Sequence, residues 1–118
     1  MTDTQKMLEE HVKDIAEVLN KLSDSYFYWD IDTEEPDDNS DSNYFDDIYN
    51  LTCYLNMFDK SIDGYRIMVA CGGPNIYVDT KAMKVEGFWG GDEAYYPITY
   101  DTAKNIDILF AEWYPINE

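Results

Sequence analysis

The chain has 118 residues and a net charge of −17, with an isoelectric point near 4.1. That charge repels nucleic acid and anionic membrane alike, so direct nucleic-acid or membrane binding is not expected and a basic partner surface is. With 45% hydrophobic and 16% aromatic residues, the chain is no disordered acidic tail, and a single α+β domain over 1–118 is expected.

Met7, Leu8, Val12, Ile15, Leu19 and Leu22 recur at three- and four-residue steps, which predicts one apolar stripe on a helix over 4–23. Thr2 and Gln5 stand at capping-box spacing, and Ser23, Asp24 and Ser25 close the helix. His11, the only histidine, sits beside the stripe with no marked acid or nucleophile, and reads as a helix-surface residue.

Tyr26, Phe27, Tyr28 and Trp29 form a run that is strand-like, or else an apolar lip beside the acidic block that follows. Between Leu22 and Asp59 there is no lysine or arginine, against eleven carboxylates. Residues 30–43 lack apolar periodicity and read as a mobile acidic loop. Within it Asp30, Asp32, Glu34, Asp38 and Asp41 fall at calcium-loop positions, but Glu35 stands where that loop needs glycine and Asp41 where it uses glutamate. A solvated loop is the expectation, and no metal ligand is assigned.

From residue 44 onward the punctuation is β. Strands are predicted over 51–58, 65–71, 75–80, 83–89 and 93–98, with a turn over 59–64 ending at Asp63 and Gly64. Further breaks fall at Gly72, Gly73 and Pro74, at Lys81 and Ala82, and at Gly90, Gly91 and Asp92. Thr99 or Asp101 caps a last helix with Ala103, Ile106, Phe110 and Trp113 on one face, stopped by Pro115. The whole predicts an antiparallel meander of four to five strands with an N-terminal and a C-terminal helix packed on one face.

Cys53 and Cys71 lie in apolar runs and are expected as small buried thiols. The glycine pairs allow turns but carry no phosphate-loop lysine or following helix. No catalytic motif occurs, so no catalytic residue, cofactor or enzymatic activity is expected.

The stretch from Cys71 through Gly72, Gly73, Pro74 and Asn75 to Asp79 and Thr80, with Gly87, Trp89, Gly90, Gly91 and Asp92, resembles small acidic proteins of phages and conjugative elements. These share a CGGPNxxxDT segment and a GxWGGD segment, and the resemblance spans about 65–113. It implies an origin in a mobile element and carries over no functional residue. Size and charge are also similar to phage-encoded DNA mimics that block restriction enzymes or CRISPR nucleases, a likeness of composition.

The expected function is an acidic inhibitor, acting in the host cytoplasm, that fills the basic nucleic-acid groove of a defence nuclease. Asp30, Asp32, Glu34, Glu35, Asp37, Asp38, Asp41, Asp46 and Asp47 are its expected contacts, with Trp29 as aromatic anchor. The alternative is a regulator that binds a small ligand or metal, with the acidic loop as a lid.

Overall fold

The computed structural model describes residues 2–115. Helix α1 spans Asp3–Leu22, and the Thr2 hydroxyl caps it by accepting from the Gln5 N–H at 3.0 Å. The reciprocal half of the capping box is not made, because the Gln5 side-chain amide donates instead to the Glu93 carbonyl at 2.7 Å. Leu8, Val12, Ala16, Leu19 and Leu22 are fully buried, while Met7 is exposed at the edge of the stripe. Each such buried Leu or Val is worth about 1.5–3 kcal/mol.

A 3-10 turn at Ser23–Ser25 ends the helix, and Tyr26 and Phe27 then adopt left-handed φ of 52° and 69°. The strand-like expectation thus fails at Tyr26 and Phe27 and holds from Tyr28, which bridges Asn43, into Trp29. Tertiary packing overrides β-propensity, since the turn sends Phe27 into the core, edge-on to Phe45 at 5.2 Å.

Two short strands, β1 (Trp29–Asp30) and β2 (Glu35–Pro36), form a small hairpin. The main sheet follows as β3 (Asn50–Leu55), β4 (Ile62–Ala70), β5 (Asn75–Asp79), β6 (Lys84–Trp89) and β7 (Asp92–Pro97), antiparallel and in sequence order. Helix α2 (Tyr100–Trp113) is capped by the Thr99 hydroxyl, which accepts from the Thr102 N–H at 3.1 Å. The α+β meander with both helices on one face is as expected.

Register explains the two faces. Leu51, Ile67, Val78, Val85 and Tyr96 align across all five strands and point at the helices. The adjoining row of Asn50, Met68, Tyr77, Glu86 and Tyr95 points the other way. Helix α1 covers β6 and β7, and α2 covers β4. Close approach of α1 requires Gly87, where a Cβ would stand 2.8 Å from Leu8 and Val12 side-chain carbons.

Three local expectations are corrected. β3 stops at Leu55 rather than 58, because Asn56 to Lys60 form the turn, with the Lys60 N–H donating to the Asn56 carbonyl at 2.8 Å. Asp63 and Gly64 consequently lie inside β4, not in a turn. Cys71 is exposed beyond the end of β4 and Cys53 is half-buried on the edge strand, so neither is a core thiol.

Candidate functional site

The acidic segment is ordered by its own carboxylates. The Asp30 Oδ1 accepts from the Asp32 and Thr33 N–H groups, the Asp37 Oδ1 from Asn39, and the Asp46 Oδ2 from Asn43. Short acids thereby make their own turns, a local preference of Asp that competes with regular structure. Buried Asn43 ties the far end down, donating to the Tyr26 carbonyl at 3.1 Å and accepting from the Phe45 N–H at 2.9 Å. The region expected as a loop therefore holds a hairpin and three side-chain-closed turns.

Aromatic contacts anchor this segment to the core. Trp29 meets Tyr44 edge-on at 5.3 Å, Tyr44 meets Phe45 at 5.4 Å, and Phe45 meets Phe110 of α2 at 5.2 Å. Trp29 is half-buried in this chain of rings. Burial, reinforced by the negative charge of Glu34, pushes the Tyr44 hydroxyl up to about 12.

Asp32, Glu34, Glu35, Asp38, Asp41, Asp46 and Asp47 are exposed, whereas Asp30 and Asp37 are half-buried at their turns. Glu35 pairs with Lys21 of α1 at 2.7 Å, which pins the hairpin to that helix. On this side Glu34 shares an open groove with Asp14 and Glu17. On the other side Asp38 faces Asp24 and Glu112 across a groove of ≈ 420 Å³, whose walls include Tyr26, Tyr28 and Ile108. Acids of α1 thus neighbour the acidic segment in one groove, and acids of the 3-10 turn and α2 neighbour it in another. Asp24 belongs to the acidic block already visible in the sequence, but no spacing signals that Asp14, Glu17 and Glu112 join it.

Those carboxylates are spread out rather than convergent. Among the described residues no three His, Cys, Asp or Glu side chains come together as metal ligands would. His11 is exposed on α1.

The outer sheet face has a different character. Three of the chain's eight basic residues lie there, each over a ring: Arg66 on Tyr77 at 3.7 Å, Lys84 on Tyr95 at 4.3 Å and Lys81 on Tyr54 at 5.3 Å. Arg66 also approaches Glu86 at 3.6 Å. The Tyr54 hydroxyl donates to the Asp79 Oδ2 at 2.6 Å, and burial together with this bond pushes it up to about 12.

The segments that carry the phage-protein resemblance have structural work to do. Gly72 and Gly90 take left-handed φ of 97° and 60° at the strand breaks, and Asn75 closes the first by accepting from the Gly72 N–H at 2.9 Å. Asp79 and Thr80 hold side-chain bonds between strands, and Asp92 accepts from the Thr2 hydroxyl at 3.1 Å. Among the described residues no helix is long and apolar enough to cross a membrane. No protein-family model, curated protein or solved structure matches this chain.

Proposed function

We propose that this protein is an acidic inhibitor that occupies the basic nucleic-acid groove of a host defence nuclease, of the restriction or CRISPR type, in place of DNA. The supporting observation is the acidic segment with turns closed by Asp30 and Asp37, neighboured by Asp14 and Glu17 in one groove and by Asp24 and Glu112 in another. Proteins gain much of their DNA affinity by neutralising phosphates with Lys and Arg, and carboxylates on ordered turns offer such a groove negative charge without a cleavable bond. The turns at Asp30 and Asp37 are already closed by their own side chains, so less entropy is lost when a partner closes on them.

The test is displacement. The protein, immobilised, captures its partner from host lysate at low salt, and duplex DNA is then added. Release of the partner by DNA and by raised salt is the expected result. A partner that stays bound in excess DNA occupies some other site, and the inhibitor reading fails.

The groove beside Tyr26 and Tyr28, which Asp38 helps to line, favours a second reading, a regulatory protein that takes a small cationic ligand there with the acidic loop as its lid. It predicts saturable binding of a small amine, insensitive to DNA.

A further inference from the structure

The two edges of the five-stranded sheet are treated differently. At β7 the edge is closed: Gln5 of α1 donates to the Glu93 carbonyl at 2.7 Å, Thr2 holds Asp92, the strand carries two acids, and it ends in Pro97. Those are the usual protections of a sheet edge.

At β3 they are largely missing. The strand reads Asn-Leu-Thr-Cys-Tyr-Leu, with no charge and no proline, and its irregularity lies only at the Tyr54/Leu55 end. Its backbone polarity follows from its partner strand. The Tyr65 N–H and C=O are both engaged on the β5 side, by Thr80. Cys53, paired with Tyr65, is therefore a position without hydrogen bonds to β4, and its N–H and C=O point outward. By the same alternation the backbone N–H and C=O of Leu51 face outward too, and that N–H is met by the side chain of Asn50 at 2.8 Å. Around this edge Tyr49, Leu55, Met57 and Phe58 are exposed, Phe58 completely.

We propose that the free edge of β3 takes up an extended, basic segment of a partner protein as an added antiparallel strand. Main-chain hydrogen bonds at Cys53 would give affinity, and the exposed apolar side chains would cover alternate residues of the guest. Charge selects the guest. Exposed Asp46 and Asp47 precede β3, and Asp59 and Asp63 follow it, so lysines or arginines at the ends of the guest strand meet carboxylates. Of the nearby cations, only Lys60, in the turn beside Asp59, competes, while Arg66 and Lys81 sit over the Tyr77 and Tyr54 rings. A second copy of the chain is the poorer guest, because each brings a charge of −17. This edge is separate from the hairpin surface of the inhibitor reading, apart from the shared Asp46 and Asp47.

The probe is an end-blocked synthetic peptide of alternating lysine with valine or threonine, compared with the same peptide N-methylated at alternate amides. The expected results are binding by fluorescence anisotropy, slowed hydrogen exchange of the Cys53 amide, and about tenfold weaker binding of the N-methylated peptide. Cys53→Pro, which removes an outward N–H without touching the β4 pairing, should also weaken binding about tenfold with the circular dichroism unchanged. If that variant fails to fold, the two peptides compared on the parent protein decide. Reversal of the acids that follow the hairpin, Asp37→Lys with Asp38→Lys and Asp41→Lys, should leave the Cys53 protection in place. Equal binding of both peptides, an unprotected Cys53 amide in the complex, or loss of binding in the triple-reversal variant would each overturn the proposal. So would Cys53 protection that develops without peptide in a species of doubled mass, which would make the guest a second copy.

Discussion

The Thr80 hydroxyl donates to the Asp107 Oδ1 at 2.6 Å while accepting from the Tyr65 N–H at 2.8 Å. One buried side chain thereby joins the end of β5 to β4 and to α2. Thr80→Val keeps the shape and removes both bonds, which strands a buried N–H and a half-buried carboxyl. A loss of about 1–3 kcal/mol is expected, read from urea unfolding. A midpoint equal to that of the parent would show that the junction is not held this way.

Burial raises the Asp107 carboxyl above its ordinary value, against the hydrogen bond from Thr80 and the charge of Lys104. A raised folded-state value favours the protonated form. The contribution is thus present below the unfolded-state value near 3.8 and is lost as pH rises through the folded one. Asp107→Asn, whose amide oxygen still accepts from Thr80, should be more stable than the parent at pH 7. That advantage should shrink as the pH falls. Thermal melts at several pH values measure it, and a constant difference would refute the assignment.

Gly87 and Gly90 are required for different reasons, and alanine at each should separate them. At Gly87 the methyl meets Leu8 and Val12 carbons at 2.8 Å, so α1 must shift, at about 1–3 kcal/mol. At Gly90 there is open space but a left-handed φ of 60°, so only backbone strain of about 1 kcal/mol is expected. Leu8→Ala, which makes room, should reduce the Gly87→Ala effect and leave the Gly90→Ala effect unchanged in a double-mutant cycle.

Neutralising one hairpin acid in water should be nearly silent toward a captured partner, since an exposed pair is worth about 0–1 kcal/mol. Reversing Asp37, Asp38 and Asp41 together to lysine should slow association and flatten its salt dependence. Trp29→Ala should act otherwise. Its ring packs on Tyr44 at 5.3 Å, so the loss, about 1–2 kcal/mol, falls on the hairpin itself. Affinity unchanged by the triple reversal at two salt concentrations would remove the acidic segment after the hairpin from the interface.

Two of the eleven tyrosines, Tyr44 and Tyr54, should ionise near 12 in a spectrophotometric titration, above their ordinary value of 10.0. Raised values mean that the stability they carry is present below pH 10 and is lost as the pH climbs toward 12. Asp79→Asn should lower the Tyr54 value alone, because it removes the negative charge that accepts the Tyr54 proton.

Periodicity and punctuation determined the two helices, the five strands and the side on which the helices lie, since these follow from local rules of burial and turn chemistry. Thr2, Thr99, Gly72 and Gly90 act where their residue types demand. Tertiary structure alone decided the rest. The run of Tyr26 to Trp29 has the composition of a strand, yet the need to bury Phe27 against Phe45 bends its first two residues into left-handed backbone, and only Tyr28 and Trp29 pair. The block of acids was plain in the sequence as charge. Its neighbourhood with Asp14, Glu17 and Glu112 depends on how the helices pack, and packing distances leave no mark on spacing along a chain. The openness of the β3 edge is likewise a property of the sheet, set by which strand happens to have no neighbour.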